Sequence, residues 1–234
     1  MRPLTISRRR LFGTLACGCA ALPATMFGAP QAVARMPKTE LGPDAALAKL
    51  KEGNAAFVKG GACAPAGGVR IAPLAAGQAP FAVIVGCSDS RVPPELVFDA
   101  GLGELFTVRV AGNTVDRSAL GSVQYAVIAL GAPLVVVLGH GGCGAVEAAV
   151  KIATQNASYP GAIGDMVKPI VPAVRKAKAA KGDLMANSIR ENVVETVGQL
   201  RRSGTTLGEP LKAGRLRIVG GVYDLASGAV EFVA

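Results

Sequence analysis

Two cysteines and the only histidine in the chain follow two predicted strands. Cys87 comes directly after the apolar run 81–86, and His140 and Cys143 come after the apolar run 134–139. Two thiolates and one imidazole are a common ligand set for zinc, and three protein ligands leave the fourth position of a tetrahedral site for water or substrate. The spacing therefore predicts a catalytic zinc site with one ion per chain.

Each of these residues also has a simpler explanation. Free cysteines are often small core residues, and Cys87 and Cys143 could instead form a disulfide in an oxidising compartment. A lone histidine at a strand end is often structural. The zinc site is favoured because it accounts for all three residues together. Cys63, in a stretch rich in Gly, Ala and Pro, has no such partners and is interpreted as an incidental thiol.

Asp89 and Arg91 follow Cys87 at positions two and four. On a turn at a strand end these side chains can form a forked ion pair, in which the guanidinium binds both carboxylate oxygens. The alternative is a surface salt bridge, worth roughly 0–1 kcal/mol. Their position beside a predicted metal ligand favours a catalytic role.

The surrounding elements predict an α/β domain. Apolar runs indicate buried parallel strands, and segments with apolar residues at helical spacing indicate helices between them. The expected fold is a mostly parallel central sheet flanked by helices, with an edge strand at the C-terminus. Ligands bind at the carboxyl ends of such strands, where both motifs lie. The predicted strands are 81–86, 105–110, 134–139, 216–223 and 229–233; the predicted helices are 45–57, 118–130, 145–152 and 187–202, with 153–185 partly helical and interrupted by Pro160, Pro169 and Pro172.

Composition excludes several classes of protein. Of 234 residues, 50% are hydrophobic and 18% are charged, which is typical of a folded domain and not of a disordered chain. Aromatic residues make up 4% and Trp is absent, so a nucleic-acid binder built on stacked aromatics is not expected. The basic stretch 175–178 is interpreted as a solvated helix face. A single domain over 35–234 is predicted.

The first 34 residues are predicted to be a cleaved signal peptide. Arg8 and Arg9 follow Ser7 and resemble the twin-arginine export signal. An apolar stretch rich in small residues covers 11–28, and residues 32–34 form an Ala-Val-Ala cleavage site. The expected location is the periplasm. A membrane anchor and a lipoprotein acylated at Cys17 or Cys19 are the alternatives. Without these residues, which carry four arginines and no acidic residue, the net charge falls from +9 to +5.

The two motifs resemble the signatures of the β-class carbonic anhydrases. The similarity covers nearly all of 35–234, and the resemblance implies a zinc lyase that reversibly hydrates carbon dioxide to bicarbonate and a proton by attack of zinc-bound hydroxide. Two thiolates cancel the charge of the ion, so the site should acidify water weakly and favour mildly alkaline pH. The matching segments are 87–92 and 140–144, with 77–80, 108–113, 122–127 and 220–225 followed by Gly228.

The resemblance also implies residue roles. Asp89, paired with Arg91, would orient the hydroxide and could swing onto the zinc as a conditional fourth ligand. The substrate pocket would be lined by residues often supplied across a dimer interface, so a homodimer or homotetramer with a shared active site is expected. A second bicarbonate site of some family members includes a Trp and is not carried over. The implied pocket residues are Gln78, Phe106, Tyr125 and Gly144.

Other functions remain open at this point. The same scaffold could hydrolyse carbon disulfide or carbonyl sulfide. A thiol redox protein would be expected to have a Cys-x-x-Cys pair, which 35–234 lack. A zinc-stabilised binding domain would not need Asp89 and Arg91 beside the ligand. No nucleic-acid partner and no stable membrane span are expected.

Overall fold

A computed structural model describes residues 38–60, 74–75 and 77–233, and at the centre of these residues lies a five-stranded sheet with the spatial order β2-β1-β3-β4-β5. The first four strands pair in parallel, and β5 is an antiparallel edge strand beside β4. The predicted α/β class, with its mostly parallel sheet and C-terminal edge strand, is confirmed. The strands are β1 (Ala82–Gly86), β2 (Leu105–Arg109), β3 (Leu134–His140), β4 (Arg217–Tyr223) and β5 (Val230–Phe232).

Helices cover both faces of this sheet. Successive side chains of a strand point to opposite faces, and every residue of β1 and β3 is buried, which explains their continuous apolar sequences. The helices are α1 (Pro43–Val58), α2 (Pro94–Val97), α3 (Arg117–Ile128), α4 (Gly144–Gln155), α5 (Gly161–Val167), α6 (Val171–Ala177), α7 (Leu184–Arg201) and α8 (Thr205–Lys212), with short 3-10 turns at Ala111–Asn113 and Lys168–Ile170.

Two apolar layers hold the sheet between its helices. On one face Leu50 of α1 and Phe98, the residue after α2, pack against Ile84 of β1. On the other face α3 and α7 pack Val123 and Val193 against the alternate strand residues. A third cluster of apolar side chains from α4, α6 and α7 surrounds Cys87 and Cys143 at the carboxyl end of the sheet.

The predicted helices and strands are found to within three residues at each end. The sequence patterns missed α2 and α8. Residues 153–185 are partly helical as predicted, and their prolines mark where helices begin: Pro160 precedes α5 and Pro172 is the second residue of α6. An N–H group in the first turn of a helix has no acceptor within the helix, so proline, which lacks this group, is tolerated there. No helix in the described part of the chain has the length and apolar character needed to cross a bilayer.

Asn54 connects α1 to the C-terminal hairpin. Its buried amide donates to the carbonyl oxygens of Val97, at 3.0 Å, and Gly228, at 2.9 Å, while its side-chain oxygen accepts from the Val230 N–H at 2.8 Å. Because buried polar groups are costly when unpaired, this satisfied amide fixes the hairpin against α1.

Candidate metal centre

Three predicted ligand atoms converge at the carboxyl ends of β1 and β3. Cys87 follows β1, His140 ends β3, and Cys143 caps the start of α4; their ligand atoms all lie within 4.8 Å of one another. The two sulfur atoms are 4.0 Å apart. Two sulfurs bound tetrahedrally at zinc–sulfur distances of about 2.3 Å would lie about 3.8 Å apart, so this spacing fits zinc. Both cysteines are free in the structure, which argues against the disulfide alternative.

His140 is oriented to ligate through one defined nitrogen. Its Nδ1 lies 2.8 Å from the Gly141 carbonyl oxygen, to which it can only donate, so the tautomer with a lone pair on Nε2 is favoured. That Nε2 is fully buried and has no hydrogen-bond partner among the described residues. A buried polar atom without a partner is costly, and a metal ion would satisfy it.

The two thiols influence each other's ionisation. A hydrogen bond from Cys143, helped by His140 and by the Gly112 N–H, lowers the pKa of Cys87 against the opposing effect of burial. The same hydrogen bond, together with burial, raises the pKa of Cys143. Burial lowers the pKa of His140, but the neighbouring Cys87 sulfur and its charge more than offset this, so the net shift is upward. Cys87 is therefore the more acidic of the two thiols, and a divalent cation bound here would displace the proton of Cys143.

Asp89 and Arg91 form the predicted forked ion pair at the edge of this cluster. The guanidinium donates from Nε to Oδ1 at 2.9 Å and from Nη2 to Oδ2 at 2.8 Å, and the Arg91 N–H also donates to Oδ1 at 2.9 Å. These bonds hold the pKa of the Asp89 carboxyl well below its usual range. Asp89 Oδ2 lies 3.9 Å from His140 Nε2, so the carboxylate borders the metal-binding atoms.

Arg109 holds the backbone that carries both Cys87 and Asp89. It ends β2, where it pairs in register with Gly86, and it donates from Nε to the Cys87 carbonyl at 2.9 Å and from Nη2 to the Asp89 carbonyl at 2.6 Å. Sequence reasoning did not assign it this role. The sequence offered one indication of this role, namely an arginine at the end of an apolar strand that lies next to the strand carrying the motif.

The four predicted pocket residues do not all reach the metal-binding atoms within one chain. Gly144 does lie beside them, as the first residue of α4. Phe106 pairs with Val83, which precedes Cys87 by four residues, or about 13 Å along the strand. Gln78 precedes β1 altogether, so it lies toward the other end of the strand. The Tyr125 ring lies 6.3 Å from the Phe106 ring and is half exposed.

Three sequence predictions fall outside the described residues. They are the signal peptide over residues 1–34, its boundary with the predicted domain 35–234, and the incidental thiol Cys63. They stay predictions.

Comparison with known proteins points to one family. The sequence model of the carbonic anhydrase family matches residues 82–230. A carbonic anhydrase of Mycolicibacterium smegmatis is 43% identical over 190 residues, which cover 81% of this chain and 92% of that protein.

Solved structures agree with the sequence relatives. The β-carbonic anhydrase CafA of Aspergillus fumigatus superimposes with a TM-score of 0.63 and 27% identity, over 81% of this chain and 89% of that chain. Two tetrameric β-carbonic anhydrases of Sordaria macrospora share the fold; the match has a TM-score of 0.63 at 23% identity, over 70% of this chain and 86% of that chain.

Replacing Arg109 should weaken metal binding. Arg109→Gln loses the two-pronged contact with the loop carbonyls, so the loop that carries Cys87 becomes less ordered, and we expect zinc affinity to fall by about tenfold. Competition with a chelator measures the affinity. Arg117→Gln removes an exposed arginine at the start of α3 and is the matched control. Equal zinc affinity in the two variants would show that Arg109 does not support the site.

Proposed function

The chain belongs to the β class of the carbonic anhydrase family, and from this premise we propose how its residues share the reaction, how the enzyme assembles and where it works. The enzyme catalyses the zinc-dependent reversible hydration of carbon dioxide to bicarbonate and a proton. The observation that carries this conclusion is the convergence of two thiol sulfurs and an unpartnered, buried imidazole nitrogen at the sheet edge.

Cys87, His140 and Cys143 would hold the zinc. When bound there, the ion supplies a Lewis acid that makes hydroxide available near neutral pH. The apolar side chains around the two cysteines lower the local dielectric constant and strengthen electrostatic interactions in the site.

Asp89 orients the nucleophile in this proposal. Its pKa is held well below the usual range by Arg91, so it stays ionised at neutral pH and can only accept hydrogen bonds. An acceptor at this position fixes the single proton of a hydroxide and turns a lone pair towards carbon dioxide. Arg91 binds both carboxylate oxygens and thereby restrains Asp89 from turning towards the ligand cluster. The further role of Asp89 as a conditional fourth ligand stays a prediction.

The proton released in each cycle must leave without a histidine shuttle. His140 is the only histidine in the chain and its Nδ1 is engaged by the Gly141 carbonyl. Transfer to water or buffer is therefore the expected route.

Carbon dioxide hydration tests this function. In stopped flow, zinc-loaded protein should contain one zinc per chain and hydrate carbon dioxide faster at pH 8.5 than at pH 7, because two thiolates weaken the acidity of the site. Asp89 is ionised at both values, so its titration does not cause the rise. Asp89→Asn should retain zinc while kcat/KM falls by about a hundredfold.

Asp165→Asn is the matched control for that variant. Asp165 is an exposed carboxylate on α5 paired with Lys168, away from the ligand cluster, and its loss should leave hydration unchanged. One zinc per chain with no hydration at either pH would contradict the assignment and favour carbon disulfide or carbonyl sulfide as substrate, or a binding role.

We propose that the working unit is a homo-oligomer in which a second copy completes the substrate pocket. Gln78 and Phe106 lie away from the ligands of their own chain, so they can line a pocket only from a partner. The surface beside them is apolar: Tyr125 and Ile128, three residues apart on one side of α3, are 49% and 54% exposed. The tetrameric relatives from Sordaria macrospora support the proposal.

Ile128→Arg tests the assembly. A charge in this apolar face should dissociate the oligomer and lower kcat/KM with zinc retained, as measured by light scattering after size exclusion and by stopped flow. Ile163→Arg changes an equally exposed isoleucine on α5 and should leave the oligomer intact. A wild-type enzyme that is fully active as a monomer would refute the shared pocket.

We propose that the enzyme is exported to the periplasm by the twin-arginine route. The support is the sequence of residues 1–34, with Arg8 and Arg9 ahead of an apolar stretch and an Ala-Val-Ala site. In fractionated cells, Arg8→Lys combined with Arg9→Lys should abolish the periplasmic pool, while Arg10→Lys should preserve it. Export that survives the double change would indicate another secretion route, and a wild-type protein confined to the cytoplasm would refute export.

A further inference from the structure

The Cys87 sulfur accepts a hydrogen bond from the backbone amide of Gly112. The distance from the Gly112 nitrogen to Cys87 Sγ is 3.3 Å, and both residues are buried. Gly112 lies in the 3-10 turn that follows β2, so this amide reaches the sulfur from the strand beside β1.

The turn demands a glycine at this position. Gly112 has φ 72° and ψ 20°, in the left-handed region that disfavours other residues. A Cβ atom there would lie 2.6 Å from Ile170 Cδ1 and 3.0 Å from the Ala145 Cβ. The backbone can therefore approach the sulfur only because it carries no side chain. Glycine, however, is also the residue with the greatest conformational freedom, so other contacts must fix the direction of its amide.

Asn192 supplies such a contact from a distant part of the chain. It lies in the middle of α7, is 3% exposed, and donates from Nδ2 to the Gly112 carbonyl oxygen at 2.8 Å. On the other side of the turn, the Asn113 N–H donates to the Val110 carbonyl at 2.8 Å. The backbone around Gly112 is thus held by the turn itself and by α7.

We propose that Asn192 is a positioning residue of the zinc site, which holds the Gly112 amide against the Cys87 sulfur. It touches neither substrate nor ligand and acts through one glycine. Hydrogen bonds to metal-bound thiolates draw electron density from sulfur and orient the ligand, and their loss typically costs 10- to 100-fold in metal affinity or activity. This inference rests on Cys87 being a zinc ligand, as proposed above.

Asn192→Ala tests the proposal on cobalt-substituted protein, in which the thiolate-to-cobalt charge-transfer band reports directly on sulfur. Losing the fixed N–H donor should shift this band to lower energy, since sulfur lone pairs rise in energy, and lower cobalt and zinc affinity by about tenfold or more. An unchanged band and unchanged affinity, with only a lower melting temperature, would show that Asn192 merely satisfies a buried carbonyl and would overturn the proposal.

Two controls separate the site from general stability. Thr196→Val removes a buried hydroxyl one turn further along α7, which donates to the helix carbonyl of Asn192. Asn54→Ala removes a buried amide that also bonds backbone carbonyls, those of Val97 and Gly228, and makes no contact with Gly112 or Cys87 in the hydrogen bonds of the described residues. Both should lower the melting temperature without moving the band. A shift of equal size in either control would contradict a specific role.

A measurement on the wild-type zinc enzyme needs no variant. Amide hydrogen exchange should show strong protection at Gly112, and exchange as fast as at an exposed loop amide would overturn the proposal even if no Asn192 variant folds. Wild-type zinc content and hydration test the proposed function separately. Failure of this inference would therefore appear as normal activity with an unprotected Gly112 amide or an unshifted band.

Discussion

The parallel pairing of β1 with β3 is the constraint on which the rest of the site depends. Gly86 aligns with Leu138, so Cys87 comes level with Gly139, one residue before His140, at one edge of the sheet. A slip of one residue would turn His140 to the other face of the sheet. Because both strands are buried on both faces, their apolar packing fixes this register, and the same packing that stabilises the fold therefore sets the distance between the metal-binding atoms.

The supports of the site come from elements far from its ligands in sequence. Arg109 of β2 holds the carbonyls of the Cys87 loop, Gly112 reaches the sulfur from the turn after β2, and Asn192 of α7 holds Gly112. Two of these supports come from β2 and the turn after it, and the third comes from α7. A metal site at a sheet edge can thus be rigid even though it is built on loops, because its loops are bonded to regular elements on several sides.

The sequence predicts the strands and the ligands for physical reasons. Short continuous apolar runs in a folded domain are typical of buried strands. Cysteine and the single histidine are rare in this chain, so their placement directly after such runs is informative. The roles of Arg109 and Asn192 have no such signal: an arginine at a strand end and an asparagine in a helix are ordinary, and only the tertiary contact shows what each one binds. Gln78, Phe106 and Tyr125 are a third case, since their predicted role depends on a second chain and no single-chain feature carries it.

Charge balance explains why Asp89 needs Arg91. Two thiolates already cancel the charge of a divalent ion bound with a neutral imidazole, so a carboxylate beside them adds an uncompensated negative charge in a largely buried cluster. Asp89 Oδ2, 3.9 Å from His140 Nε2, is close enough to compete for the ion's fourth position. Arg91 neutralises that charge and takes both carboxylate oxygens, and its own side chain is more than half exposed, so it contributes this charge without being buried itself. The fourth coordination position, which water or substrate must occupy, is therefore kept open by the Asp89–Arg91 ion pair at the rim of the site. The three protein ligands are positioned by the apolar core beneath it.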